Sequence, residues 1–317
     1  MISVVPAEGP LLDRVLDARC QRPHNGLSPR ACGIWHAAQM KTTWGQQRQR
    51  TVALTDGHEI LASAEQYDLT GVFDGRTVRI CGIGSVQSDP RHTRELVDRL
   101  ITAAARAGAA IAILFSDTAL DDEIGGAFEA IRFTDVTLNV AQSPRHGAPM
   151  TMVRGGDERD LAAIAAMGRA RAEPFRFHLD RDVDFVQYAI TSKRLLAGLG
   201  AANARQLHFF IAEEGITAAA YVVLSVVGTC WTLEECGDRD VSGARLGALL
   251  QALIAREPIE RTPTIRGWLP PGFMPPQVTI VSATPSAESI RVRVLEPSKI
   301  IRRLSSDDVL FWRNDLI

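Results

Sequence analysis

Val86-Gln87-Ser88-Asp89-Pro90 closes an apolar stretch, and beyond it Leu96, Leu100 and Ile101 fall on one face of an amphipathic helix expected to begin near Arg94 and to run to Ala107. Residues 109–115 then form a second short apolar run, bounded as a buried strand would be. The same order of strand, loop, helix and strand returns downstream. It comprises a strand from Thr229 to Glu235, a loop over 236–242, a helix from Gly243 to Arg256 and a strand from Thr264 to Leu269. Arg94 and Gly243 are 149 residues apart, as are Leu100 and Leu249. Ile2-Ser3-Val4-Val5 stands at that same offset from Thr151-Met152-Val153-Arg154. One offset held from the first strand to the main helix indicates a tandem repeat.

Residues 141–149 are polar, contain Pro and Gly, and lack hydrophobic period, so they read as a linker. The expected division is a first domain over 1–142, a linker over 143–149 and a second domain over 150–317. Each half runs helix-rich first, antiparallel strands next, and strand–helix–strand last. Gly75 and Gly215, each beside an acidic residue and between apolar runs, mark hairpin turns. The composition agrees, because 317 residues with 46% hydrophobic side chains exceed the roughly 250 residues at which one core stops growing.

The 35 basic and 37 acidic residues leave a formal net charge of −2, without the positive field that sequence-independent nucleic-acid binding needs. Nucleic acid is therefore not an expected partner. No leader is visible over Met1–Pro10, and no run approaches the roughly 18 apolar residues of a membrane span. The five cysteines are scattered, without a C-x-x-C pair, which argues against a disulfide framework or a structural zinc. The expectation is a reduced, soluble, cytoplasmic chain.

The arrangement resembles the GNAT superfamily of N-acetyltransferases used twice, most like the tandem members of the enhanced-intracellular-survival type. The resemblance is carried by Gly82-Ile83-Gly84-Ser85-Val86, by Pro90 with His92, and by Leu114-Phe115-Ser116-Asp117 followed by Ala127-Phe128. It implies an α/β (α+β) fold of two GNAT-like domains, each a mixed, mostly antiparallel, splayed sheet flanked by helices. It also implies that the strand ending at Ser85, Val86 and Gln87 pairs with the pantetheine arm of an acyl donor. The family loop R-x-x-G-x-G/A holds the pyrophosphate of coenzyme A at a helix N-terminus, where free amides and the helix dipole favour an anion.

This chain departs from that loop. Counting from Pro90, the family arginine falls on Thr93, the first glycine on Arg94 and the second small residue on Leu96. In the second half Gly243 keeps the glycine position within Ser242-Gly243-Ala244-Arg245, while Asp240 stands where arginine belongs. The donor-binding expectation thus rests on Arg91, His92, Thr93 and Arg94 in the first half and on residues 242–245 in the second. Arg91 and Arg94 replace backbone approach with side-chain charge. That suits a single phosphate and an acidic acyl carrier protein as well as acyl-coenzyme A.

The family's thiolate-protonating tyrosine maps onto Glu123, with Asp122 beside it. A carboxylate there can act as general base toward an ammonium acceptor; the competing reading is a solvated acidic loop. Glu235, at the position equivalent to Val86, is the second-half candidate, with a strand-end ion pair to Arg239 or Arg245 as the alternative. No histidine pair has metal-site spacing, so no metal is expected. Residues 21–44 and 174–182 interleave aromatic and charged side chains, which fits either acceptor pockets or hydrophobic anchors.

The resulting reading is an N-acyltransferase that moves an acyl group from a pantetheine thioester to the amine of a small molecule by direct attack. Its setting would be specialised biosynthesis. The first-half cleft is favoured because its strand is lined by small residues, whereas Trp231 and Glu234 crowd the equivalent strand. A catalytically inactive tandem scaffold is the alternative.

Overall fold

The computed structural model describes residues 1–20, 27–88, 90–117, 128–142, 152–201, 204–295 and 304–316. In the first half β1 (Ile2–Pro6) leads into α1 (Pro10–Cys20), α2 (Pro29–Gln39) and α3 (Thr43–Arg48). An antiparallel meander of β2 (Gln49–Asp56), β3 (Glu59–Phe73) and β4 (Arg76–Ser88) follows, then α4 (Pro90–Arg106), β5 (Ile111–Asp117) and β6 (Glu129–Val140). The second half repeats this order with β7 (Met152–Gly155), α5 (Leu161–Ala172), β8 (Phe177–Leu179) and α6 (Val183–Leu199). It continues through β9 (Gln206–Glu214), β10 (Thr217–Val227), β11 (Cys230–Asp238), α7 (Ala244–Ile254), β12 (Thr264–Gly267) and β13 (Val278–Val294). A short β14 (Val309–Leu310) and a 3-10 turn (Arg313–Asp315) end it.

All of these strands join one mixed, mostly antiparallel sheet, in the order β1-β2-β3-β4-β5-β13-β6-β12-β11-β10-β9-β7, with β8 branching from β3 and β14 pairing β8. The two halves mirror one another in this order, with one exchange at the centre. β13 lies against β5, and β6 lies against β12, so the last strand of each half completes the sheet of the other. The hydrogen-bonded ladder therefore runs through the junction without an edge.

Strand alternation explains the layers. Val52, Leu54, Ala62, Ala64, Ile83 and Leu114 form one face, covered by Leu96, Leu100 and Ile101 of α4. Ala53 faces α1 through Val15, and Tyr67 and Leu69 face Trp44 of α3 together with Phe185 and Tyr188 of α6. A second-half helix thus roofs the first-half sheet. The hairpins expected at Gly75 and Gly215 form, and the φ of 74° at Gly75 is the left-handed backbone that glycine adopts at no steric cost.

Two expectations change. The first main helix begins at Pro90, not near Arg94, because proline fits the first helical position, where no amide is needed. Cys32 is disulfide-bonded, while Cys81, Cys230 and Cys236 are free. Scatter along the chain did not exclude a bridge, because pairing is decided by Cα approach in the fold. Among the described residues no helix is long and apolar enough to cross a membrane.

Candidate active site

Each half contains a fork where two parallel strands part. In the first half β4 and β5 pair from Ile80↔Ile111 to Ile83↔Leu114. Beyond that point β4 continues to Ser88 on β3 alone, while β5 runs on to Asp117 along β13, which it pairs over its whole length. Among the described residues, the edge of Gly84–Ser88 that faces away from β3 meets no strand. A one-residue bulge marks the parting: Glu65 opposes Gly84 and Ser63 opposes Gln87, with Ser85 at φ 48°. Such a bulge bends the strand and turns its amides outward. Gly82, at the base of the fork, is as close-packed as its lack of a side chain permits, since a Cβ there would lie 2.8 Å from Leu69 and 3.2 Å from Phe115.

The second fork has the same skeleton. β11 and β12 pair from Cys230↔Thr264 to Leu233↔Gly267, and β11 runs on to Asp238. Its bulge falls at Glu234, between Leu224↔Leu233 and Val223↔Glu235. Here the bulge is surrounded by buried charge. Glu235 is fully buried and accepts hydrogen bonds from Arg181 at 2.8 Å and 2.6 Å, from Tyr221 Oη at 2.5 Å and from Asn314 Nδ2 at 2.9 Å. Arg181 Nε lies 2.9 Å from Asp315 Oδ1. Burial raises the Glu235 pKa, but the Arg181 charge and these donors outweigh it and hold the carboxyl below its usual range. Glu234 is engaged by Lys193 Nζ at 2.9 Å and Ser225 Oγ at 2.6 Å.

The helix N-termini differ in the same sense. At α7 the amides of Asp240 and Leu246 each donate at 2.8 Å to the Asp238 carboxylate, and Ser242 N donates to Asp240 at 3.0 Å. Ala244 N donates to Ser242 Oγ at 3.3 Å, and Arg245 Nε is held by Glu214 at 2.6 Å. The anion that the α7 dipole favours is supplied by the chain itself. Gly243, at φ 73°, is pressed against Phe273, which a Cβ would approach to 2.7 Å. At α4, Thr93 is buried and bonds Ser88 through its hydroxyl, while Arg91 is exposed and Arg94 is exposed with Nε 3.8 Å from Asp98. His92 is half-buried at the same end. Asp122 and Glu123 lie outside the described residues.

The structure adds a polar cluster beside the first bulge that sequence reasoning missed. Glu65, 2% exposed, accepts from Arg19 Nη1 at 2.5 Å, from Thr51 Oγ1 at 3.0 Å and from Gln49 Nε2 at 3.3 Å. His36 Nδ1 lies 3.7 Å from Glu65. Burial depresses the His36 pKa more than Glu65 raises it, so the ring is neutral at pH 7. Tyr188, from the second half, donates to Gln49 Oε1 at 2.9 Å, and its ring lies 4.4 Å from that of Trp44. Gln87, on β4, donates to the Arg19 carbonyl at 3.3 Å. The available signal was the alternation Gln49-x-Thr51 and Glu65-x-Tyr67, which sets polar side chains on one face of otherwise apolar strands.

Both stretches that read as either acceptor pockets or hydrophobic anchors contain structural anchors among the described residues. Trp44 is buried against Tyr67 and Phe185, and Trp35 Nε1 donates to Ser192 O at 3.0 Å. Phe177 is fully buried on β8, which pairs with β3, and Asp182 caps α6 through Phe185 N at 2.7 Å.

No protein-family model and no curated protein matches this sequence. Solved structures do match. A GCN5-related N-acetyltransferase from Kribbella flavida is 18% identical with a TM-score of 0.67, covering 93% of this chain and 71% of its own. Another from Anabaena variabilis is 10% identical with a TM-score of 0.64, covering 93% and 73%. Eis1 from Mycobacterium abscessus is 13% identical with a TM-score of 0.54, covering 93% and 74%. At such identity the likeness establishes the fold alone, which is that of these GCN5-related N-acetyltransferases.

Proposed function

We propose that the protein is an N-acyltransferase whose working cleft is the first-half fork. The observation that carries this reading is the asymmetry of the two bulges: the second is surrounded by the buried charges of Glu235 and Arg181 with Asn314, whereas among the described residues no strand and no such ion pair meets the free edge of Gly84–Ser88. In this reading the backbone of Ser85, Val86 and Gln87 pairs with the pantetheine of an acyl thioester. The acceptor amine attacks the thioester carbonyl carbon, the C–S bond breaks, and the thiolate leaves with a proton, while the new ammonium loses one to a base. Asp122 and Glu123 supply that acid and base. Glu65 is unsuited to the role, because the ion pair with Arg19 and the hydrogen bonds from Thr51 and Gln49 already occupy its oxygens.

Acyl-coenzyme A and an acyl group on an acidic carrier protein are both donors that Arg91, His92 and Arg94 could engage, the latter fitting specialised biosynthesis in the cytoplasm. The acceptor is a small-molecule amine. In this reading residues 1–142 hold the cleft, 143–149 link, and 150–317 serve as its support, lending Tyr188 to the first half. The test is thiol release with acetyl-coenzyme A and with acyl-loaded carrier protein against a panel of amines. Release with either donor supports the reading; release from neither favours an inactive scaffold.

A further inference from the structure

The buried guanidinium of Arg19 is only partly used. Its side chain is 3% exposed, and Nη1 is spent on Glu65 at 2.5 Å, yet Nε and Nη2 are buried without a hydrogen-bond partner among the described residues. Buried donors left without acceptors are costly and call for an explanation at each site. In an arginine the Nε–H and one Nη2–H are parallel on the same side of the plane. The two orphans therefore form a single edge of the fork, the edge that grips both oxygens of a carboxylate.

The surroundings narrow the ligand further. Glu65 is already satisfied and His36 is neutral, so the cluster as a whole offers donors and seeks an oxyanion. Arg19 is joined to β4 through Gln87, one residue past Val86, and to the bulge through Glu65, whose strand partner is Gly84. Thr51 and Glu65 stand on the α1 side of the sheet, whereas α4, whose N-terminus would face a donor phosphate, packs on the opposite side against Val52, Leu54 and Ala62. The oxyanion at Arg19 thus belongs to the acceptor.

Resting on the acyltransferase reading, we propose that Arg19 binds the carboxylate of the acceptor through Nε and Nη2, so that the amine acylated at the first fork is that of an amino acid or a molecule built on one.

The test is calorimetric titration of the full chain, without donor, using the L-amino acids, their carboxamides and the matching decarboxylated amines. At least one acid should bind about tenfold more tightly than its amide, as expected for a charge-assisted bidentate pair. Two variants guard against misfolding: Arg19→Lys keeps a charge against Glu65 but lacks the fork, and Arg19→Gln with Glu65→Gln removes both buried charges together. In each, the preference for acid over amide should collapse while coenzyme A binding stays unchanged. The proposal is overturned if no acid outbinds its amide, if the preference survives in both variants, or if coenzyme A weakens instead, which would place the donor's phosphate at Arg19. Equal rates of thiol release from the donor whether or not the acceptor amine carries a carboxylate would sink this proposal and leave acyl transfer standing. Carboxylate binding through Arg19 without any thiol release would support the Arg19 site and remove the acyl-transfer reading.

Discussion

Arg181 places Nη1 and Nη2 at 2.8 Å and 2.6 Å from the two oxygens of Glu235, on the β11 position that corresponds to Val86 of β4. The pair closes one fork with the chain's own charges, and Tyr221 and Asn314 complete the carboxylate's shell. Removing one partner of a buried pair leaves the other uncompensated, at a cost of about 3–5 kcal/mol. Glu235→Gln should therefore lower the unfolding free energy by that amount in a urea titration and leave turnover per folded molecule unchanged. A variant of undiminished stability that has lost turnover would show that Glu235 takes part in the chemistry.

Asp315, on the other side of Arg181, has a pKa pushed up by burial to about 6, the Arg181 charge offsetting only part of the penalty. Its folded pKa is above the unfolded value of about 3.9, so between these limits the native state binds the extra proton. Stability contributed by this group is present at the acid end and is lost as pH rises from about 4 to about 6, on the order of 3 kcal/mol in all. His36 acts oppositely: burial lowers its folded pKa, so its part rises with pH toward the unfolded value. Comparing unfolding free energies of the parent and Asp315→Asn across pH 4–7 isolates the first effect. The difference should change steeply below pH 6, and a pH-independent difference would refute the assignment.

Much of this architecture was legible in the sequence because it rests on periodicity. The offset that relates Arg94 to Gly243 also relates the two bulges, at Ser85 and Glu234, and the two forks follow from it. The central exchange of β6 and β13 was not legible, since nothing local in either strand says which neighbour each will meet. The Arg19 cluster was missed for a related reason. Arg19, Gln49, Glu65 and Tyr188 are far apart in the chain, and each alone reads as an ordinary surface polar or core aromatic residue. The first helix was expected four residues late because the lost family loop, not Pro90, was taken to mark its start.

Ser85 sits at φ 48°, a left-handed conformation that costs a residue with a Cβ roughly 1–2 kcal/mol, most for a β-branched one. Ser85→Val should destabilise the protein by about that much and raise the apparent KM for the donor, because a flattened bulge turns the amides of β4 away from the fork. Ser85→Gly relieves the strain but gives the unfolded chain more freedom, so its stability should stay within about 0.5 kcal/mol of the parent. Thermal unfolding and donor titration of the two variants decide the point. Equal KM values in both would show that the bulge does not position the donor.

Arg91 and Arg94 stand exposed at the start of α4, where glycines would let backbone amides reach a pyrophosphate. Arg94 is only loosely engaged by Asp98, 3.8 Å away between two exposed side chains, an arrangement worth little to stability. Replacing both arginines by alanine should leave the unfolding transition unmoved. If their charges stand in for the missing loop, the loss falls on the apparent affinity for the donor rather than on kcat, as removal of uniform binding does. The two donors then separate by salt. Recognition of an acidic carrier protein draws on long-range attraction, so the penalty for the double variant should shrink as ionic strength rises past the point where screening acts within about 8 Å. A phosphate of acyl-coenzyme A held in direct contact is screened much less, and its penalty should persist. Steady-state titration of each donor at low and physiological salt reads both trends. Unchanged affinity for both donors at low salt would reduce these arginines to a solvated helix start and remove the main support for a carrier-protein donor.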